Sequence, residues 1–294
     1  AALRERWRLG ATLRAHGFDW AIILPNSWKS ALILTASGIA RRTGWVGEFR
    51  YGLLNDIRKL DKQQLPLMIQ RFAALAEPAI TLNDLELIQA RLSQDCLPRP
   101  KLVVDLVNRQ QCIARFKLSL DQRILALCPG AEFGVTKLWP AEYYAKTALA
   151  YLEQGWQVWL FGSPNDQATG EALVAAVQAE MTNSQALHNF IGQTKLGDAV
   201  DLMSLAQAVV SNDSGLMHIA AALDLHLVAV YGSTSPEFTP PLGERTKILQ
   251  KSLYCSPCFA RVCKEQHLKC LRDITPNIVL EHLPTVSSAT DTTP

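Results

Sequence analysis

A turn of small polar residues follows a predicted buried strand in the second half of the chain and has the chemistry of an anion site. It covers residues 211–218 (SNDSGLMH) and opens a predicted helix. Asp213 or Ser214 can cap this helix, and the amide groups at Ser214 and Gly215 are left free. Because the positive end of a helix dipole favours negative charge, the turn predicts a phosphate-binding site.

His218 lies one turn into the same predicted helix, on the side of Ser214 and Gly215. Its imidazole can donate a hydrogen bond to a phosphate. A buried helix histidine that is bonded to a neighbouring carbonyl fits the position equally well. The sequence leaves both interpretations open.

Two other strand-to-helix turns carry one charged residue each. The first, residues 128–140 (CPGAEFGVTKLWP), contains Lys137, whose ammonium suits a phosphate, although an ordinary surface lysine also fits because no P-loop or dinucleotide signature is present. The second, residues 161–166, contains Asp166, which can bind a ribose hydroxyl or cap the following helix.

Five potential metal ligands are concentrated near the end of the chain. Two cysteines have the C-x2-C spacing of a metal knuckle, and two more thiols and an imidazole follow irregularly: Cys255, Cys258, Cys263, His267 and Cys270. Four of these groups would complete a structural zinc site, and reduced thiols packing a loop are the alternative. Seven cysteines in all, an odd number, favour a reducing cytoplasmic compartment.

Composition places these turns in an ordinary globular protein. The 294 residues are 48% hydrophobic and 19% charged, which is enough to bury a core in each of two domains. Residues 1–117 hold 18 Lys and Arg against 10 Asp and Glu, whereas residues 118–294 hold 11 against 17. The first half is therefore expected to meet an anionic partner, and the scattered cations argue against nucleic acid.

Alternating strands and helices must position the candidate turns. Apolar runs predict strands at 19–24, 123–128, 157–161, 188–191, 208–211 and 227–231, with helices between them. Such repeats need crossover connections and predict an α/β fold with parallel, doubly wound sheets, whose ligands bind at the carboxyl ends of the strands. A linker near Ser119 divides the chain into predicted domains 1–118 and 119–294.

Seven separated motifs resemble the bacterial ADP-heptose:lipopolysaccharide heptosyltransferases of glycosyltransferase family 9. They are residues 25–31 (PNSWKSA), 42–45 (RTGW), 51–55 (YGLLN), 129–134 (PGAEFG), 137–140 (KLWP), 212–218 (NDSGLMH) and 238–241 (FTPP). The resemblance implies a GT-B fold, in which two Rossmann-like domains face each other across a cleft. It also implies an inverting transfer of L-glycero-D-manno-heptose from ADP-heptose to the first heptose of the lipopolysaccharide inner core.

The resemblance also implies roles for individual residues. The donor would be bound in the second domain by Lys137, Asp213, Ser214, Gly215 and His218, with Asp166 on the ribose. The acceptor would be bound in the first domain by Asn26, Ser27, Lys29, Arg41 and Arg42. The implied enzyme needs no cofactor beyond its ADP-heptose donor and works at the cytoplasmic face of the inner membrane, in peripheral contact with it.

The family's general base is expected to be absent from these residues. Members of the family begin with a strand and a Gly-Asp loop whose aspartate takes the acceptor proton, and no such segment precedes Leu3. The catalytic residue is therefore unassigned, and loss of a base costs roughly 10²- to 10⁴-fold in rate. A different GT-B sugar transferase or epimerase, or a nucleotide-sugar-binding protein without turnover, are the alternatives.

Overall fold

The computed structural model describes residues 2–181 and 185–285 and divides the chain into two compact units. The first unit comprises Ala1–Pro98 together with Glu237–Thr239, and the second comprises Arg99–Pro236 and Pro240–Pro294. Within the described ranges, no helix is long and apolar enough to span a membrane. The α/β fold with parallel sheets that the sequence predicts is confirmed.

The first unit is built on a three-stranded parallel sheet in the order β1-β2-β3. Its strands are β1 (Trp20–Ile23), β2 (Arg41–Trp45) and β3 (Asp56–Arg58), and its helices are α1 (Ala2–Arg14), α2 (Trp28–Ser37), α3 (Met68–Ala74) and α4 (Leu85–Leu92).

Local sequence explains how α1 and α2 are arranged. The Ser27 hydroxyl caps α2 by accepting from the Ser30 amide at 3.3 Å, and Gly38 ends the helix in the left-handed conformation with φ 73°. Gly10 lets α1 approach α2 closely, because a β-carbon there would lie 2.3 Å from the carbonyl oxygen of Ile33.

A short segment from late in the chain completes the first unit. The Met68 amide donates to the carbonyl oxygen of Phe238 at 3.0 Å, and the Arg71 guanidinium lies 4.7 Å from the centre of the Phe238 ring. Residues 237–239 therefore pack on α3 as part of the first unit.

The second unit is a six-stranded parallel sheet in the order β6-β5-β4-β7-β8-β9. Its strands are β4 (Ile124–Cys128), β5 (Gln157–Leu160), β6 (Leu187–Asn189), β7 (Ala208–Asn212), β8 (His226–Tyr231) and β9 (Thr246–Gln250). Its helices are α5 (Leu106–Phe116), α6 (Ala141–Leu152), α7 (Gln167–Glu180), α8 (Leu196–Met203), α9 (Gly215–Ala222), α10 (Lys269–Arg272) and α11 (Pro276–Leu280).

Helices cover both faces of this sheet because its central strands are buried on both sides. Along β4, Leu125 and Leu127 belong to one apolar cluster, with α6, α7 and α11. The alternate residues Ile124 and Ala126 belong to the other, with α5, α8 and α9. This period of two assigns each side chain to one layer of a doubly wound fold.

Helix α5 belongs to the second unit, so the predicted boundary after residue 118 lies inside that unit. The Asp105 amide donates to Asp201 Oδ1 at 2.9 Å, and Asn108 Nδ2 donates to Asp201 Oδ2 at 2.7 Å. These bonds fix the start of α5 against α8, while Cys112 packs into the core beside it. The sequence signal near Ser119 is the end of this helix and not a domain linker.

The shifted division changes the charge of each unit. The first unit holds 13 Lys and Arg against 10 Asp and Glu, a net charge of +3, because five cations between residues 99 and 117 belong to the second unit. The second unit holds 16 against 17, or −1. Most of the charge asymmetry predicted from the two halves of the sequence therefore disappears.

Candidate functional site

In the second unit, the chain adds strands to one side of β4 and then to the opposite side from β7, so the strand order reverses between these two neighbouring strands. From β4 the chain proceeds outward to β5 and β6, and from β7 it proceeds the other way to β8 and β9. Ligands of doubly wound folds bind beyond the carboxyl ends of the strands at this reversal. The two loops that leave these ends lie within the predicted turns, residues 128–140 and 211–218.

Asn212, at the end of β7, holds the two loops together. Its Oδ1 accepts from the Trp139 amide at 3.0 Å and from the Tyr144 hydroxyl at 3.1 Å, and its Nδ2 donates to the carbonyl oxygen of Pro129 at 2.7 Å. Asn212 is fully buried. A buried amide satisfied from three sides fixes backbone geometry, and the position of Lys137 follows from it.

Lys137 and Asp213, both predicted donor-site residues, lie together as an ion pair. Lys137 Nζ is 2.6 Å from Asp213 Oδ2, and the Thr234 hydroxyl donates to the same oxygen at 2.5 Å. Asp213 is buried, and the side chain of Lys137 is 15% exposed. The Asp213 carboxylate therefore orients the lysine. It does not cap α9, although the sequence allowed that role.

The first turn of α9 offers its amide groups to a ligand. Ser214 is the N-cap residue in an extended conformation, and within the described residues its hydroxyl makes no capping bond to the helix. A β-carbon on Gly215 would meet no atom within 4 Å, so the space in front of this turn is open. Free amides and a positive dipole end beside Lys137 are an arrangement that can attract an anion.

His218 lies on the exposed side of α9, with Asp213 and Lys137 in its electrostatic surroundings. Desolvation lowers the pKa of His218 below its ordinary value, Asp213 opposes this effect and Lys137 reinforces it. The neutral ring that results can still donate one hydrogen bond to a phosphate oxygen.

Asp166 accepts hydrogen bonds from the turn that precedes it. Among the described residues its side chain makes no capping bond to α7, the helix that the sequence allowed it to cap. Its Oδ2 accepts from the Ser163 amide at 2.8 Å and from the Ser163 hydroxyl at 2.7 Å. The carboxylate also lies against Gly130, where a β-carbon would come within 2.3 Å of it. Asp166 thus joins the turn after β5 to the loop after β4, and a ribose contact stays a prediction.

Arg261 is a cation near this site that the sequence interpretation missed. Its guanidinium carbon lies 5.4 Å from the centre of the Phe133 ring, and Lys137 Nζ lies 5.3 Å from the same ring. Gly134 permits the approach, because a β-carbon there would be 2.7 Å from the carbonyl oxygen of Arg261. The only sequence signal was the cation itself within the cysteine-rich segment.

The first unit places three predicted acceptor residues at the start of α2. Asn26 and Lys29 are exposed, and Ser27 caps the helix. Arg50, which the sequence interpretation missed, is buried beneath them. It donates to the carbonyl oxygen of Pro25 at 2.8 Å and to Asn26 Oδ1 at 3.1 Å.

The two arginines predicted to bind the acceptor are engaged within the first unit instead. Arg42 donates to the carbonyl oxygens of Ile39 at 2.6 Å and Leu53 at 2.9 Å. Arg41 pairs with Asp56 at 2.9 Å. Hydrogen bonds from Arg58, Thr43 and Arg41, opposed by burial, lower the pKa of Asp56 to about 2, so this carboxylate stays charged and holds its partners.

The predicted metal ligands line one cavity of about 310 Å³ in the second unit: Cys255, Cys258, Cys263, His267 and Cys270. Burial and the three neighbouring thiols raise the pKa of Cys270. Among the residues that the structure describes, no three His, Cys, Asp or Glu side chains stand in an arrangement that holds a metal ion. A structural zinc therefore stays a prediction.

Comparison with known proteins decides the family. Residues 6–269 match the sequence model of glycosyltransferase family 9 (heptosyltransferase). The chain belongs to this family. It is accordingly a transferase, and the resemblance predicted from its motifs is confirmed.

Two relatives and one solved structure are similar to the family 9 chain over almost all of its length. Lipopolysaccharide heptosyltransferase 2 of Escherichia coli K12 is 43% identical over 284 residues, which cover 95% of this chain and 78% of that protein. Lipooligosaccharide heptosyltransferase 2 of Haemophilus influenzae is 41% identical over 294 residues, covering 96% and 80%. The solved structure of E. coli ADP-heptose lps heptosyltransferase II superposes with a TM-score of 0.81 at 41% identity, covering 95% of this chain and 79% of that one.

Proposed function

We propose that this family 9 enzyme transfers heptose from ADP-heptose to the first heptose of the lipopolysaccharide inner core, with inversion at the anomeric carbon. The observation that carries the proposal is the convergence of Lys137 with the open first turn of α9 at the ends of β4 and β7. The names of the E. coli relatives, which include lipopolysaccharide, heptose and ADP-heptose, support this choice of donor and acceptor.

The donor site would act by stabilising ADP as it leaves. An acceptor hydroxyl loses its proton to a general base as its oxygen forms a bond to the anomeric carbon of the heptose. The bond from that carbon to the phosphate oxygen breaks, and its electron pair stays on ADP. Negative charge therefore grows on the pyrophosphate. Lys137, held by Asp213, and the α9 amides meet it with preorganised positive charge.

The acceptor is proposed to bind the first unit at the start of α2. Asn26 and Ser27 lie on a loop that Arg50 fixes from below, and Lys29 follows in the first turn of α2. Hydroxyl, amide and ammonium groups suit a sugar that carries carboxylate or phosphate. Arg41 and Arg42 support this unit through internal bonds and are not assigned to the acceptor.

Peripheral contact with the cytoplasmic face of the inner membrane is proposed, because the acceptor saccharide carries its own lipid. Helix α1 supports this contact. It exposes Leu3, Trp7 and Leu9, by 51–57%, beside Arg4, Arg6 and Arg8. Apolar and basic side chains on one exposed helix favour an anionic lipid surface.

Replacement of Lys137 tests the donor assignment. Lys137→Ala removes a charge-assisted contact of ~1.5–3 kcal/mol, so ADP affinity measured by calorimetry is expected to fall about 10- to 100-fold. Lys146→Ala, which removes an exposed lysine of α6, is the matched control and should leave the affinity unchanged. Equal affinity of both variants and the parent would refute the site.

A donor screen tests the reaction itself. ADP-heptose, UDP-sugars and GDP-sugars are offered with a heptosylated inner-core acceptor, and product is detected by mass spectrometry. Transfer from ADP-heptose alone is the expected result. Turnover of a UDP- or GDP-sugar in preference to ADP-heptose would replace the proposal by another sugar transferase.

A further inference from the structure

Four of the seven cysteines lie within residues 255–270, and all four face one cavity. The other three lie elsewhere: Cys112 and Cys128 are buried in the core, and Cys96 is exposed in the first unit. A thiol that packs a core is ordinary, whereas four thiols around one cavity of a surface loop have the composition of a structural metal site.

The segment between β9 and α10, residues 251–268, is not held by an apolar core of its own. Its largest apolar side chains point to solvent: Tyr254 is 87% exposed, Val262 71% and Phe259 53%. The segment has 18 residues without a helix or strand, a length at which loops in compact proteins are uncommon and usually functional. Hydrophobic burial therefore does not explain its order.

The backbone of this segment is also strained. Phe259, Gln266 and Leu268 adopt the left-handed conformation with φ of 51°, 56° and 49°, which residues other than glycine rarely do. Such conformations persist where surrounding contacts fix them. Three hydrogen bonds tie the segment to its neighbours, from the Phe259 amide to Ser233, from the Ser256 hydroxyl to Gly232, and from Thr136 to Ala260. All three lie between residues 256 and 260. Residues 261–268 have fewer ties, namely the packing of Arg261 on Phe133 and a hydrogen bond from the Tyr254 hydroxyl to Glu265 at 3.0 Å.

The imidazole of His267 is set apart from the thiols by its own hydrogen bond. Its Nδ1 accepts from the Lys269 amide at 3.0 Å, so the proton of the neutral ring sits on Nε2. Neither nitrogen then has a lone pair free for a cation. Glu265 also lines the cavity, and its carboxylate accepts from the Tyr254 hydroxyl at 3.0 Å. The four sulfur atoms are the donors that zinc prefers in closed tetrahedral sites.

We propose that Cys255, Cys258, Cys263 and Cys270 bind one zinc ion in this cavity and that His267 is not a ligand. The thiols share the cavity without standing in coordination geometry, so binding requires the loop and its cysteine side chains to rearrange around the ion. Each thiol releases its proton to solvent as its sulfur forms a bond to zinc. The ion would clamp residues 255–270 and, through Thr136, support the turn that carries Lys137.

Metal analysis of the whole chain tests this site without reference to activity. The purified protein, reconstituted with zinc and desalted, is expected to retain one zinc per chain by elemental analysis. Cys258→Ser and Cys263→Ser should each weaken zinc binding by more than the roughly 10- to 100-fold that loss of an outer-shell partner costs. Cys258 is exposed, so its substitution should leave the fold intact, which circular dichroism checks.

Two matched variants define the ligand set. Cys96→Ser removes an exposed thiol outside the cavity, and His267→Ala removes the imidazole, and both should keep the zinc. A parent protein that retains no zinc, or retention by both Cys258→Ser and Cys263→Ser, would overturn the proposal. Zinc loss from His267→Ala equal to that from Cys258→Ser would overturn the four-thiol set. If Cys263→Ser does not fold, the cobalt-loaded parent must show thiolate-to-cobalt charge-transfer absorption, and its absence is equally decisive against the site.

Discussion

Arg261 is positioned to add positive charge to that of Lys137. Because the Asp213 carboxylate offsets part of the charge of Lys137, a second cation would strengthen the attraction for a pyrophosphate. The Arg261 guanidinium approaches the same Phe133 ring as Lys137 and remains exposed to solvent. We infer that it reaches the outer phosphate of the leaving ADP.

Arg261→Ala should therefore lower the affinity for ADP about fivefold, which corresponds to the ~1 kcal/mol expected for an exposed ion pair. Arg261→Lys should recover most of the affinity, since the charge is kept. Lys247→Ala removes one exposed cation from β9 and serves as the control in calorimetry. An equal loss in Arg261→Ala and Lys247→Ala would mean that only the overall charge matters.

The sequence predicted the positions of residues that carry a local signal, but not the contacts that join residues far apart in the chain. Lys137 and the 212–218 turn were found because a cation and a helix start after buried strands have a local signal. Asn212 gave no such signal for its bonds to Trp139 and Tyr144, about seventy residues earlier. Arg42 was assigned to the acceptor because the backbone carbonyls that it binds cannot be read from a sequence.

The first turn of α9 can be tested apart from any side chain that it presents. Gly215→Ala adds a methyl group in open space, so the fold should keep its stability or gain the ~0.4–1 kcal/mol typical of such changes. The same methyl group would stand before the free amides and is expected to lower ADP affinity about tenfold. Thermal unfolding and calorimetry measure the two effects separately.

Gly197→Ala, in the first turn of α8, is the matched change, because a β-carbon there also meets no atom within 4 Å. It should alter neither ADP affinity nor folding by more than the same small gain. If both glycine substitutions leave ADP affinity intact, the α9 amides do not face the pyrophosphate.

Strands with continuous apolar runs were predictable, as was the short edge strand β6, whereas β3 and β9 were not. The runs that form β4, β5, β7 and β8 are buried along their length and stand out from their surroundings. The three residues of β3 and the mixed sequence TKILQ of β9 carry no such pattern. Both strands lie at the edges of their sheets, where half-exposure removes the signal.

The long-range attraction of the first unit for an anionic acceptor should be weaker than the charges of the two halves of the sequence imply. With +3 on the first unit, the KM for an anionic acceptor is expected to rise only a few-fold between 0.1 and 1 M salt, as the screening length falls from ~10 to ~3 Å. Lys29→Ala should raise the KM of the acceptor at low salt, whereas Lys101→Ala, outside this unit, should not. If neither salt nor Lys29→Ala changes the KM of the acceptor, the acceptor binds elsewhere.

The excursion of residues 237–239 into the first unit limits how this protein can be recombined. A gene cut once, after codon 98, yields an amino-terminal fragment that lacks Phe238, the partner of the Met68 amide and of the Arg71 guanidinium. A chimera that exchanges residues 1–98 with a relative inherits these three residues from the other parent. An exchange of the first unit therefore requires two segments, residues 1–98 and 237–239. A mismatch at Phe238 is the first explanation to test when a chimera expresses poorly.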